Sequence, residues 1–224
     1  MKCILNIDTS GPLGQVSLSR EGEVLDYLEN EKEKDHAQFL APAIHTLLQG
    51  AGLEPSGIVA VAISAGPGSY TGLRVASATA KGLCFALGIP LIAVGTLEVL
   101  ANAMAQQDPS YDLYCPMIDA RRQEVYSACY DGKLNEIMRP HALVLDPGSF
   151  SVLLSQHRIL FSGSGSSKWE SLIDPKAERA FFLQIRPGPQ SLSWLSWLAF
   201  QRESWTDPAY FESWYLKAFP NPPT

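Results

Sequence analysis

Charge is scarce in this sequence, and cations are scarcer than anions. Only 18% of its 224 residues are charged, and 17 Lys and Arg stand against 23 Asp and Glu, a formal net charge of −6. A chain that wraps nucleic acid unaided needs a clustered excess of Lys and Arg, so that class is excluded for the lone chain. Cysteine is sparse too. Cys3, Cys84, Cys115 and Cys129 form no C-x-x-C pair, which removes zinc knuckles and dithiol redox motifs. Their scatter predicts free thiols in a reducing compartment. The histidines His36, His45, His141 and His157 form neither H-x-x-x-H nor H-E-x-x-H, so the ligand pattern of a zinc hydrolase is missing. There is no G-x-S-x-G, hence no nucleophile elbow. No uncharged apolar run reaches the length of a membrane span. The nearest, Val75 to Val94, is interrupted by Lys81, Gly82, Gly88 and Pro90. The opening apolar stretch before Asp8 is too short for a signal-peptide core. A soluble, cytoplasmic protein with no membrane partner is expected.

What the sequence does have is core. Hydrophobic residues make up 46%, enough to bury a sizeable interior in a chain longer than the usual domain of about 100–150 residues. One compact unit or two small lobes fit that size. An apolar run from Cys3 ends at Asp8, Val16–Ser19 alternates with period two, and Val24–Leu28 follows a Glu-Gly-Glu turn. Three strands joined by tight turns predict an antiparallel meander. After a charged loop at 29–35, Ala37, Leu40, Ala41, Ile44, Leu47 and Leu48 have helical spacing. Asp35 with Gln38 predicts a reciprocal cap at the helix start. Gly50 and Gly52 predict its end, and Pro42 a kink. Ile58–Ile63 reads as a strand buried on both faces. A helix follows from about Leu73 to Leu87, then a strand Leu91–Val94 and a helix from Thr96 to about Met104. The polar stretch 106–112 marks a boundary between lobes. The second half opens like the first, with a strand, Leu113–Ile118, leading into an Asp. A strand to Tyr130, a short one at Arg158–Phe161 and a helix from Gln190 to Glu203 complete it.

The helix at 73–87 carries only two charges, Arg74 and Lys81. Gly72, Ala76, Ala80 and Cys84 stand four apart, making one face small enough for another helix to approach closely. A helix with so little polar surface must be covered on more than one side. Its own sheet is one cover; a second domain or a partner protein is the other. The helix begins in Gly66-Pro67-Gly68-Ser69-Tyr70-Thr71-Gly72-Leu73-Arg74. Such a turn gathers backbone N–H groups at the positive helix end, where a phosphate can sit. The same residues also make a plain strand–helix turn. The loop is no Walker A motif, since Lys-Ser/Thr does not follow Gly72. The spacing G-x-G-x-x-x-G is not the dinucleotide fingerprint either. Asp8, with Thr9 and Ser10, could hold a metal–phosphate group or simply close an Asx turn. Gly163-Ser164-Gly165 could approach a nucleotide or form an ordinary loop. Asp119, Arg121, Arg122 and Glu124 are a charged cluster or a salt-bridged hairpin rim. His36, in the first turn of its helix, reads as a surface or interface group.

Assembled, these segments resemble the TsaB family, also called YeaZ, of the tRNA threonylcarbamoyladenosine machinery. The resemblance is carried by Asp8-Thr9-Ser10, Asp35-His36, the Gly66–Arg74 segment, Asp119-Ala120-Arg121-Arg122-Gln123-Glu124-Val125-Tyr126 and Tyr215-Leu216-Lys217. It covers nearly the whole chain and thins between about residues 130 and 210. Ala76 stands where the family often has Gly, and Lys217 where Arg is common. The resemblance implies an α/β protein of the actin-like ATPase (ASKHA) fold, with two ribonuclease-H-like lobes whose mixed sheets are flanked by helices. Residues 1–107 would be the first lobe with partner-binding helices. Residues 108–224 would be a degenerate second lobe whose last helix packs back on the first.

The implied function is that of a non-catalytic paralogue of TsaD, the enzyme that transfers the threonylcarbamoyl group to tRNA. It would be a scaffold that binds and activates TsaD, with no catalytic residue, metal or cofactor of its own. TsaD would dock as a heterodimer on the two long helices, TsaE, a small ATPase, would join, and tRNA would be met only through the complex. The partner-binding residues would be His36, Leu40, Ile44, Leu47, Leu73, Ala76, Ala80 and Leu83. Asp8, Ser10, Gly68, Ser69, Gly163 and Gly165 would be a degenerate nucleotide site. Without TsaD, the same helix would pair with a second copy of the chain. Two other readings compete. A TsaD-like metal-dependent hydrolase or glycoprotease lacks its histidine pair, and a stand-alone ATP-binding protein of this fold would rest on Asp8 and Ser69.

Overall fold

The computed structural model describes residues 2–30 and 35–214; the Tyr215-Leu216-Lys217 motif lies outside them. The elements in chain order are β1 (Cys3–Asp8), β2 (Gln15–Arg20), β3 (Glu23–Glu29), α1 (His36–Gly50), a 3-10 turn (Pro55–Gly57), β4 (Ile58–Ser64), α2 (Tyr70–Leu87), β5 (Leu91–Val94) and α3 (Thr96–Gln107). They continue with β6 (Leu113–Asp119), β7 (Glu124–Asp131), β8 (Glu136–Val144), α4 (Ser151–Leu154), β9 (Ile159–Ser162), α5 (Ser166–Glu170), β10 (Ala180–Phe182) and α6 (Pro189–Gln201). Two compact units divide the chain: Met1–Val99 with Pro187–Trp214, and Leu100–Arg186. The division falls inside α3, not at the polar stretch after residue 107, because the first turn of that helix groups with the first sheet. The segment Pro187–Trp214, α6 included, also groups with the first unit. Among the described residues no helix is long and apolar enough to cross a membrane.

In the first unit the strand order is β3-β2-β1-β4-β5. The first three strands are the antiparallel meander, while β4 runs parallel to β1 and β5 parallel to β4. Period-two alternation along β1 decides what covers each face. Cys3, Leu5 and Ile7 join Val16, Leu18, Val61 and Ile63 under α1 and α2 in one core. Burying each such side chain fully is worth about 1.5–3 kcal/mol. On the opposite face Asn6 meets α6: its Nδ2 donates to Ser19 Oγ at 2.9 Å and Ser193 Oγ at 3.2 Å, and Ser196 Oγ donates to its Oδ1 at 2.6 Å. These groups are buried, where a polar atom without a partner is costly, so the bonded set fixes where α6 sits. The expected cap at Asp35 does not form, since its side chain makes no capping bond. Its backbone, φ −96° and ψ 38°, departs from the extended conformation that aims a cap side chain back at the first turn.

The second sheet has the order β10-β9-β6-β7-β8, with β6 antiparallel to β7 and parallel to β9. Read from its other edge this is the first sheet again, three antiparallel strands followed by two parallel ones. Two ribonuclease-H-like units in one chain make the actin-like ATPase fold class. The core gathers Cys115, Met117, Val125, Cys129, Phe161 and Trp169. β8 escapes the strand reading because Pro140, Glu136 and Arg139 break its apolar pattern; as the last strand of the sheet it tolerates the proline.

Candidate functional site

The residues expected to meet a partner lie mostly on the inner sides of their helices. His36, Leu40, Ile44, Leu47, Leu73, Ala76 and Ala80 are all buried within the first unit, and only Leu83 is half-exposed. The small-residue row Gly72, Ala76, Ala80 and Cys84 faces the unit's own interior. Small side chains there let α2 lie close to the strands beneath it. His36 is wedged into the same interior: a Cβ on Gly14 would lie 2.9 Å from its Nδ1, and one on Gly72 3.2 Å from its Cδ2. Among the described residues neither ring nitrogen finds a hydrogen-bond partner.

The opposite row of α2 is the available surface. Thr71, Arg74, Ala78, Gly82, Phe85 and Ala86 are exposed, and Phe85 is 91% exposed. Arg74 does not project freely, since its guanidinium stacks 4.0 Å from the centre of the Tyr70 ring. α1 packs beside α2 on the same core, and its exposed residues include Ala37, Ala41, Pro42, His45 and Thr46, with no Asp, Glu, Lys or Arg anywhere in the helix. The signal for Phe85 was present in the sequence: it follows Arg74 and Ala78 at helical spacing, on the row that a charged residue marks as outward.

The glycine loop is closed by the protein itself. Ser69 N donates to Ser10 O at 2.8 Å, and Thr9 Oγ1 donates to Gly72 O at 2.7 Å. A Cβ on Gly68 would sit 2.5 Å from Ser10 O, and one on Gly72 would run into Thr9 O. Those glycines therefore admit the β1–β2 hairpin on the side where a Cβ would stand. Ser69 caps α2, its Oγ accepting from Gly72 N at 3.3 Å. Asp8 Oδ1 accepts from Ser10 N at 2.9 Å and Ser10 Oγ at 2.6 Å, which is the Asx turn.

Gly163 and Gly165 follow the same logic in the second unit. A Cβ on Gly163 would meet Met117 O, and one on Gly165 would lie 2.7 Å from Val125 Cγ1. Asp119, which ends β6 as Asp8 ends β1, pairs with Lys168 at 2.7 Å and accepts from Arg121 N at 2.6 Å. Partial burial would raise its pKa, but the Lys168 bond and the Arg121 N–H outweigh that and hold the carboxyl below the usual range. Among the described residues no three or more His, Cys, Asp or Glu side chains group as metal ligands.

The family model described as "TsaD: tRNA N6-adenosine threonylcarbamoyltransferase" matches residues 29–140. A Bacillus subtilis protein, "tRNA threonylcarbamoyladenosine biosynthesis protein TsaB", is 33% identical over 199 residues, 86% of each chain. The Escherichia coli protein of the same name is 34% identical over 134 residues, 60% of this chain and 57% of that one. The solved structure "YeaZ from Pseudomonas aeruginosa" superposes with a TM-score of 0.82 at 30% identity, covering 96% of this chain and 100% of that one. With a fold shared end to end and a third of the residues identical over most of the length, the chain belongs to the TsaB (YeaZ) family.

Proposed function

We propose that this chain is a non-catalytic subunit that binds and activates a TsaD-type threonylcarbamoyltransferase, during threonylcarbamoyl modification of the adenosine beside the anticodon of tRNA. The transferase docks on the outer row of α2 and the adjoining surface of α1. The observation that carries this reading is Phe85, a large apolar side chain left almost wholly in water on a long helix of small residues. An aromatic ring that buries about 150–250 Å² on contact, bordered by small residues that let a partner backbone come near, is the composition of an interface anchor. Arg74, its guanidinium carbon 4.0 Å from the centre of the Tyr70 ring, supplies a cation at the rim.

No side-chain set in either unit is assembled for catalysis on this reading. Asp8 and Ser69 serve the local turn and the helix cap, which leaves the stand-alone ATP-binding alternative without a specific observation in its favour. TsaE joins the transferase complex, and tRNA is met through the transferase, consistent with the net charge of −6. In the absence of the transferase the same face pairs with a second copy, so sedimentation of the free chain shows a concentration-dependent dimer. All of this takes place in the cytoplasm.

The test is a titration of the purified chain against a TsaD-type transferase. Replacing Phe85→Glu weakens binding by at least about thirtyfold and leaves the circular dichroism spectrum intact. Affinity within twofold of the unaltered chain would overturn the docking face.

A further inference from the structure

Two thiols face each other in the second unit and take no part in the reading above. The β6–β7 register pairs Tyr114 with Tyr130 and Met117 with Ser127, which puts Cys115 directly opposite Cys129. Both cysteines are free, fully buried and part of the same core. At the end of this ladder Ala120 N donates to Glu124 O at 3.1 Å. Counting back through the alternation of antiparallel pairs makes Cys115–Cys129 a non-hydrogen-bonded pair, the kind in which Cα atoms approach to about 4.5 Å. A disulfide needs Cα atoms about 4.4–6.8 Å apart. The ladder therefore already holds the two residues at bridging distance.

The ladder is also irregular there. Pro116, beside Cys115, has no N–H to donate, and the β7–β8 register shifts on both sides of Cys129. Local opening of this stretch costs less than unfolding the unit.

We propose that Cys115 and Cys129 form a redox-sensitive latch, in which a hydroperoxide reaching them during local opening closes a cross-strand disulfide that pins β6 to β7. One thiolate attacks the peroxide: an S–O bond forms, the O–O bond breaks, and the departing oxygen leaves as water or an alcohol. The second thiol attacks the resulting sulfenic sulfur. The S–S bond forms, the S–O bond breaks, and hydroxide leaves as water with the thiol's proton. Two electrons pass from the sulfurs to the peroxide. Burial, with the neighbouring Cys129 adding to it, pushes the Cys115 thiol well above its ordinary range. Cys115 in the closed ladder is accordingly protonated and slow, and the latch answers sustained oxidant, not a brief pulse. Cys3 and Cys84 have no such cross-strand thiol and serve as internal controls; burial pushes Cys84 to about 11.

The experiment is peptide mapping of the full chain after hydrogen peroxide treatment in native buffer. The expected result is a link between the peptides holding Cys115 and Cys129, with free thiols falling from the four in the chain to two. Dithiothreitol reverses it. The bridged form melts roughly 10 °C higher. Cys115→Ser or Cys129→Ser abolishes the link, and a chain carrying both Cys3→Ser and Cys84→Ser keeps it. Sulfenic or sulfinic acid without a bridge, or a bridge that forms only after denaturant has unfolded the chain, overturns the proposal. Should a serine variant fail to fold, mapping of the unaltered chain still decides between these outcomes.

Discussion

The two sheets share one strand order but not one kind of cover. On the first lie helices of 15 and 18 residues whose outer rows are nearly free of charge. Over the second, α4 and α5 have only 4 and 5 residues. That unit closes its core with aromatic rings instead, Phe150, Phe161 and Trp169 meeting at 5.3–6.3 Å between centres. Exposed apolar residues occur in both units, Phe85 at 91% and Val152 at 77%. Phe85 stands on an extended face, whereas Val152 stands on a single turn. Covering a five-stranded sheet does not require long helices. On the proposed reading, the length of α1 and α2 is surface offered outward. The carboxylates that end β1 and β6 differ likewise: Asp8 closes its own turn, and Asp119 is held by Lys168 from another segment.

Substitutions can break or sharpen this contrast. The largest effect is expected at the aromatic anchor of the second unit. Trp169→Ala should lower unfolding free energy by about 3–5 kcal/mol in urea titrations, with transferase affinity unchanged once the protein is folded. In the first unit Gly72→Ala should cost about 3 kcal/mol, because the added methyl meets the backbone of Thr9 and no flexible side chain can yield. Asn6→Ala removes the hub that holds α6 and should cost about 2 kcal/mol by the same titration, leaving several buried hydroxyls short of a partner. Gly82→Ala lies on the outer row with nothing within 4 Å of the new Cβ. It should stabilise the chain by about 0.8 kcal/mol, read as a higher Tm. Smallest of all, Lys168→Met should cost about 0.5 kcal/mol, since the pair is partly exposed. Its clearer sign is in the titration. Asp119 has a depressed pKa in the fold, so its contribution is complete above the ordinary carboxylate range and fades as pH falls through the folded value. Without Lys168, NMR should find that pKa raised and the loss of stability in acid reduced.

Much of this architecture was legible in the sequence, and the limits are instructive. Alternation at Val16–Ser19 and the 3.6 spacing from Ala37 to Leu48 located β2 and α1, because apolar side chains line one face of each and the pattern reports that. The duplicated unit was an expectation from the family resemblance, and the repeated opening, a strand leading into Asp8 and again into Asp119, agrees with it. Most of the residues expected to face a partner turn out to be buried, and the reason is physical. Spacing reveals that Gly72, Ala76 and Ala80 share a row but not which way the row points, and small residues suit an approaching helix and the chain's own sheet equally well. Asn6, Ser17 and Ser19 hid the docking of α6, since polar residues on a central sheet read as solvent-facing until Ser193 and Ser196 arrive from far along the chain to satisfy them. The short α4 and α5 left too few residues for any period to show, and Pro140 with Glu136 and Arg139 broke the pattern of β8.

Hydroxyl-radical footprinting of the chain, alone and with a saturating TsaD-type transferase, addresses the docking face directly. Oxidation at Phe85 should fall severalfold in the complex while oxidation at Val152 stays as it was. Unchanged labelling at Phe85, with protection confined to the second unit, would contradict the account.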